Sequence, residues 1–269
     1  MKLIKLNESG FSLVELITVM AVTLILTATI FSFTIDFWGT SATLQADQET
    51  LVTRLDANDA LRKLISASAG MIIQNSIPDS KALVKDPNTG NGQYWTPIHA
   101  IPGNKVVGNP GTITPLLYFR IPSQDKTHTI VMNGAVPYDD EYILYLNGTN
   151  KQMYLRQLAN PNVNNNLIET SCTPGSTTST CPADRMLVDS ITSIDLRYFS
   201  RSGNLIDWTS STDPALNGTQ VGNPNNYNGP DFPLVEAVEI GLHIKSNAQF
   251  HGVNNSVNQT VVRIALLNF

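Results

Sequence analysis

The sequence predicts an α+β protein in which a long N-terminal helix packs on a C-terminal antiparallel β-sheet domain. The first observation is an apolar, uncharged run at residues 16–35, in a chain whose first proline is Pro78. The second is a change of pattern after Gly70, where short segments of alternating apolar and polar residues are separated by Gly, Pro and Asn. Helical periodicity followed by strand periodicity is typical of the α+β class.

The composition is that of a folded protein with one sizeable core. The 269 residues are 42% hydrophobic and 14% charged, and the formal net charge is -5. Because proteins bind phosphate backbones through strongly basic surfaces, this charge gives no support to a nucleic-acid partner.

The absence of proline before Pro78 predicts one continuous helix from about residue 11 to residue 69. A helix rises about 1.5 Å per residue, so residues 16–35 extend about 30 Å, which matches the hydrocarbon thickness of a bilayer. A buried core helix and a removable signal peptide are the alternatives, but a secretory apolar region is usually shorter and ends in a small-residue cleavage site. The run therefore predicts a membrane span.

The residues before the span indicate its orientation and a special role for one acid. Lys2 and Lys5 place the short N-terminus in the cytoplasm by the positive-inside tendency, so the rest of the chain lies outside. Glu15 stands at the head of an otherwise uncharged span. A carboxylate in lipid is costly unless it is paired, which makes Glu15 a candidate functional residue.

Gly10, Phe11 and Glu15, with the apolar run behind them, carry a family resemblance. This spacing resembles the class III signal of type IV prepilins and type II secretion pseudopilins. The resemblance implies that a prepilin peptidase cuts between Gly10 and Phe11 and methylates the new Phe11 terminus. It also implies that Glu15 becomes the fifth mature residue, where the amine of a neighbouring subunit neutralises its carboxylate during assembly.

The resemblance divides the chain into four parts. Residues 1–10 are a leader, 11–38 the membrane-spanning half of the helix, 39–72 its amphipathic half, and 73–269 an extracytoplasmic β-rich domain. The protein is expected as a single-pass membrane protein with a short cytoplasmic N-terminus, and afterwards as part of a cell-surface or periplasmic filament.

The outer half of the helix carries an apolar face. Leu44, Leu51 and Leu55 share one side at helical spacing, and we expect this face to pack on the chain's own sheet. Leu61 and Ile65 are rotated away from that face, together with Leu64 between them.

The strands are predicted from alternation and turn residues. A buried strand is expected at residues 116–121. Strands at residues 142–146 and 153–158 are expected to form a hairpin around Asn147-Gly148, with a slightly long loop. Further alternating strands are expected at residues 194–198, 238–244 and 262–266, with a turn at residues 202–204 that leads into residues 205–208.

Residues 187–269 carry a second resemblance, in their order of short strands and turns. The order is similar to that of minor pilins and J-type pseudopilins, which prime such filaments. It implies an α+β shape in which the outer half of a long helix packs under a sheet, and it does not separate a pilus from a secretion system. The size of the mature part, which is larger than most major pilins, points towards a minor subunit.

Cys172 and Cys181 enclose a loop-forming tract of Thr, Ser, Pro and Gly. In an oxidising compartment such a pair predicts a local disulfide, worth about 2.5 kcal/mol by chain entropy. Two free thiols are the alternative, and a zinc site lacks further ligands at useful spacing.

The remaining motifs predict neither catalysis nor metal binding. Residues 86–92 resemble a calcium loop faintly, but Pro97 stands where the twelfth-position acid is needed, so a plain turn is expected. Cation binding is the alternative for the acidic run at residues 139–141, but such a run before a strand is usually solvated, and we expect that here. The four histidines lack metal-ligand spacing, and no nucleophile elbow is present. We therefore expect no enzyme, no cofactor and no metal.

The function expected is that of a minor type IV pilin-like subunit that assembles into, or primes, a pilus or pseudopilus. Its partners would be the prepilin peptidase, other major and minor pilins, the inner-membrane assembly platform and, before assembly, the cytoplasmic membrane. A tip adhesin or DNA-uptake receptor on the same anchor is the alternative, and a membrane-anchored enzyme is a third.

Overall fold

The computed structural model describes residues 12–68, 70–71, 77–81, 94–95, 105–106, 110–173, 181–199, 203, 205, 237–245 and 257–265. The chain divides into two compact units. The first comprises Met1–Gln48 with Ala248–Asn254, and the second Glu49–Asn247 with Asn255–Phe269.

The helix α1 runs from Leu13 to Ser66, within the predicted residues 11–69. Among the described residues, thirteen strands follow: β1 Gly70–Met71, β2 Ile77–Pro78, β3 Tyr94–Trp95, β4 Lys105–Val106, β5 Ile113–Pro122, β6 Met132–Asn133, β7 Val136–Pro137, β8 Asp139–Asn147, β9 Gln152–Leu158, β10 Arg185–Val188, β11 Ile191–Phe199, β12 Ala237–Lys245 and β13 Val257–Ala265. One long helix followed by antiparallel sheet confirms the predicted α+β class.

The described strands of the second unit form two main sheets. One has the strand order β1-β5-β8-β9-β10 and the other the order β13-β12-β11-β4. Two small ribbons, β2-β3 and β6-β7, complete the pairings, and every pairing among the described strands is antiparallel. The sheet begins at β1, slightly before the boundary expected at residue 73.

The central hairpin of the five-stranded sheet is the predicted one. β8 and β9 pair from Glu141 opposite Leu158 to Asn147 opposite Gln152. Within the turn, Lys151 adopts a left-handed conformation with φ 55°. The expected strand at residues 116–121 is also confirmed, as part of the longer β5.

The four-stranded sheet confirms the alternation expected at residues 194–198 and 238–244. Ile194 and Leu196 of β11 are buried, as are the four apolar residues of β12, Val238, Ile240, Leu242 and Ile244. The predicted turn contains Gly203 with φ 79°, and Phe199 pairs with Leu205 across it. Residues 206–208 and Leu266 lie outside the described residues.

Two apolar clusters cover opposite faces of the five-stranded sheet. The larger joins the end of α1 to both main sheets and contains Leu61, Leu144 and Ile194. The smaller, centred on Trp95 and Tyr145, is packed under the β2-β3 ribbon. The rings of Trp95 and Tyr145 lie 5.0 Å apart between centroids. The larger cluster forms because α1 and each sheet present one apolar face to a shared core.

The expectation for the buried face of α1 is wrong. Leu44, Leu51 and Leu55 are 59%, 53% and 59% exposed. The residues of α1 that enter the core are Ala57, Leu61 and Ile65, with Leu64 packed partly against them. These residues repeat at helical spacing, so the buried stripe is the one that the sequence placed on a rotated face.

Candidate functional site

The start of α1 is closed by a capping box formed by Ser12 and Glu15. The Ser12 N–H donates to Glu15 Oε2 at 2.9 Å, and the Glu15 N–H donates to Ser12 Oγ at 3.3 Å. A helix leaves its first N–H groups without internal partners, and this reciprocal pair satisfies two of them. Glu15 also places negative charge at the positive end of the helix dipole.

The helix behind this cap is apolar and exposed over its first part. Large apolar side chains from Leu13 to Trp38 are exposed, with Phe33 at 73% as an example. Within the part of the chain that the structure describes, α1 is the one helix long and apolar enough to cross a membrane.

Threonines in this segment satisfy their hydroxyl groups on the helix itself. Thr23 donates to the carbonyl of Val19 at 2.7 Å, and Thr27 donates to that of Thr23 at 2.7 Å. Thr18, Thr29 and Thr34 make similar bonds. A hydroxyl bonded in this way needs no outside partner, so these residues are compatible with an apolar surrounding.

Two residues of the expected processing site, Gly10 and Phe11, lie outside the described residues. The described residues start at Ser12, which caps the helix. They include Glu15 but neither residue of the expected scissile bond. The cleavage position therefore stays a prediction.

The second candidate feature is the cysteine pair. Cys172 and Cys181 lie at disulfide distance, with their Cα atoms 5.1 Å apart. The backbone supports the approach, because the Cys172 N–H donates to the carbonyl of Pro182 at 2.7 Å.

Sequence reasoning missed a buried ionic cluster beside the cysteines. Arg156 of β9 has a fully buried side chain that bonds the carboxylates of Asp79 and Asp184, the latter at 2.8 Å from Nη1. Trp95 Nε1 donates to Asp79 at 2.9 Å, and Tyr145 donates its hydroxyl to Asp184 at 2.6 Å. The signal in the sequence was an arginine inside the strand predicted at residues 153–158, which says nothing about its partners.

The cluster shifts the titration of its members. Burial acts to raise the pKa of Asp79, but the hydrogen bonds from Arg156 and Trp95 outweigh it and hold that pKa below its usual value. Burial and the bond to Asp184 raise the pKa of Tyr145. Asp79 is therefore a carboxylate at neutral pH and pairs with the Arg156 guanidinium.

The acidic run at residues 139–141 is structural. Asp140 is 3% exposed and accepts hydrogen bonds from the Asn160 N–H at 2.8 Å and Asn166 Nδ2 at 2.6 Å. Glu141 Oε1 lies 3.6 Å from Nη2 of Arg120, which makes the two side chains an ion pair. The expectation of a solvated run is thus wrong for Asp140.

The histidines are dispersed. His243 lies 2.8 Å from Asp195 on β11, and His128 occupies a turn with φ 62°. His99, His251 and the faint calcium loop at residues 86–92 lie outside the described residues. The described residues contain no group of three His, Cys, Asp or Glu side chains that could hold a metal ion.

Comparison with known proteins identifies the N-terminal segment. The family model described as the prokaryotic N-terminal methylation motif matches residues 5–31. No curated protein matches the chain. The match covers Gly10, Phe11 and the capping box, together with the first part of the apolar helix.

This segment is the class III prepilin signal of type IV pilin-like proteins, and the long apolar helix fits it. The motif implies processing by prepilin peptidase and assembly with other pilins. Pilin-like proteins of this kind are structural subunits, and an N-terminal apolar helix is consistent with their membrane anchor.

Proposed function

We propose that this protein is a minor type IV pilin-like structural subunit that assembles into, or primes, a pilus or pseudopilus, and that it is not an enzyme. The methylation motif at residues 5–31, joined to the exposed apolar start of α1, carries the proposal. The domain boundaries expected from the sequence belong to it: leader 1–10, span 11–38, and an extracytoplasmic β-rich domain beyond the helix.

The first step of this function is processing. The prepilin peptidase cuts between Gly10 and Phe11 and methylates the Phe11 amine. The capping box supports this position, because it begins the helix at Leu13, just after the expected cut. Mass spectrometry of membrane-extracted protein should find N-methylated Phe11, and an intact Met1 terminus in cells that contain the peptidase would refute the step.

The second step is assembly, in which Glu15 recognises a neighbour. Its carboxylate accepts the N–H of Ser12, which is a neutral donor, so its charge still calls for a cationic partner in lipid. The amine of Phe11 on an adjacent major or minor pilin is that partner. It is created by cleavage and lies at nearly the same depth. Assembly proceeds at the inner-membrane platform.

Two variants separate charge recognition from helix capping. Glu15→Gln keeps an oxygen that can accept the Ser12 N–H but removes the charge, whereas Glu15→Leu removes both. We expect both variants to insert and be cleaved, and both to lose incorporation into filaments and pull-down with sister pilins. Normal incorporation of Glu15→Gln would show that only the cap matters and would overturn the pairing. The proposed function itself would be overturned by a different result: native protein that is processed and keeps its cysteine loop intact, but never joins a filament.

A further inference from the structure

Arg156 contacts both ends of the segment enclosed by the two cysteines. On the N-terminal side, its Nη1 donates to the carbonyl of Cys172 at 3.0 Å and its Nη2 to that of Ser171 at 3.5 Å. On the C-terminal side, Nη1 also bonds Asp184, 2.8 Å away and three residues beyond Cys181. One buried guanidinium therefore joins the two ends of the loop without using the sulfur atoms.

The guanidinium itself is fixed by the surrounding fold. Asp79 binds Arg156 Nε and also accepts the Trp95 N–H, and the Trp95 ring lies 5.8 Å from the guanidinium carbon. Tyr145 fixes Asp184 in turn. Since a buried cation is strongly destabilised when it loses its partners, the fold holds both loop ends at Arg156 whether or not the cysteines are bridged.

We propose that Arg156 is a positioning residue for the Cys172–Cys181 pair, which aligns the two thiols in the folded domain and keeps the loop ends together when the bridge is reduced. The inference depends on the disulfide at this pair and not on the pilin-like function. It makes disulfide formation a late event that follows folding of the five-stranded sheet. The disulfide is then a reversible covalent link between two loop ends that the ionic cluster already holds together.

The chemistry is ordinary thiol–disulfide exchange. The thiolate of one cysteine attacks glutathione disulfide and releases one glutathione as a mixed disulfide forms. The second thiolate then displaces the other glutathione, so that one protein disulfide and two glutathione thiols result. The equilibrium constant of this reaction is an effective concentration of the two thiols for each other, and alignment by Arg156 raises it.

The test measures this effective concentration for the full chain in detergent micelles, over a series of glutathione ratios, with alkylation and mass spectrometry as the readout. The variant is Arg156→Lys, which keeps the positive charge but cannot bond Asp79, Asp184 and the Cys172 carbonyl together. Arg120→Lys is the matched control, because Arg120 lies on the same sheet and binds Glu141 away from the loop. We expect the effective concentration to fall at least tenfold in Arg156→Lys and to change less than twofold in Arg120→Lys. In concentrated urea, all three proteins should give the same low value.

Equal effective concentrations for the native chain and Arg156→Lys, both folded by near-ultraviolet circular dichroism, would overturn the proposal. If Arg156→Lys does not fold, Asp184→Asn takes its place, since it weakens one loop contact and leaves Asp79 on the guanidinium. An unchanged value for Asp184→Asn would overturn the proposal equally. A second measurement uses the Cys172→Ser, Cys181→Ser protein, whose amide at position 172 should stay protected from hydrogen exchange. Loss of that protection would show that the disulfide, and not Arg156, closes the loop.

Discussion

The N–H of Ser12 lies 2.9 Å from the carboxylate of Glu15, and the N–H of Glu15 lies 3.3 Å from the Ser12 hydroxyl. Glu15 thus has an internal partner in the single chain. That partner is a neutral amide, which satisfies a lone pair but brings no full positive charge to the carboxylate. Assembly would then add a cation to a carboxylate that the helix start already orients.

The first prediction concerns this cap. Ser12→Ala removes the acceptor of the Glu15 N–H and should cost the first helical turn about 1 kcal/mol. Amide hydrogen exchange at residues 14–16 in micelles should accelerate about fivefold. Ser12→Thr, which retains a capping hydroxyl, should exchange like the native chain. Equal rates for the alanine variant would contradict the capping role.

The second prediction concerns the face of α1. Leu61 is 1% exposed, whereas Leu55 is 59% exposed on the same helix. Leu61→Ala should lower the free energy of unfolding by about 2 to 5 kcal/mol through lost burial and a cavity. Leu55→Ala should change it by less than about 0.5 kcal/mol. Urea denaturation of the two variants provides a direct comparison, and a loss for Leu55→Ala as large as that for Leu61→Ala would contradict burial of the Leu61 face alone.

The third prediction concerns acid. The pKa of Asp79 is lower in the folded chain than its ordinary value, so its contribution to stability is complete above about pH 4 to 5 and is lost as the pH falls through the folded pKa. Asp79→Asn should cost about 3 to 5 kcal/mol at pH 6, because Arg156 loses a charged partner.

The same variant should lose less stability than the native chain on going from pH 6 to pH 3, since its side chain does not titrate. Urea midpoints at the two pH values measure the difference. Asp56→Asn, at an exposed carboxylate on α1, is the control and should follow the native pH dependence. If the stability of Asp79→Asn depended on pH in the same way as that of the native chain, a stabilising role for the Asp79 carboxylate would be contradicted.

The fourth prediction concerns the hairpin turn. Lys151 has φ 55°, a left-handed conformation that costs a residue with a Cβ about 1 to 2 kcal/mol. Lys151→Gly should relieve this strain and stabilise the domain by about 0.5 to 1 kcal/mol after the entropic cost of glycine. Asn150→Gly, one residue earlier and without a positive φ, should give no gain. A stabilisation by both changes, or by neither, would contradict the assignment of strain to Lys151.

The sequence by itself determined the features that depend on neighbouring residues. The charge-free run, the acid at Glu15 and the methylation motif are contiguous, so their chemistry can be read without a fold. The hairpin at Asn147 and the alternating strands around Ile194 and Ile240 could also be predicted from the sequence. In a strand with one buried face, apolar residues recur at every second position.

Only the tertiary structure decided which side of α1 is buried and where Arg156 finds its partners. The outer half of α1 carries apolar residues on two faces, and helical periodicity alone cannot say which of them meets a sheet, because that depends on how the later strands assemble. Asp79 is 77 residues from Arg156, and Asp184 is 28 residues away. Charges so far apart in the chain become an ion pair only when strand register brings them to one buried place, and no local pattern encodes that meeting.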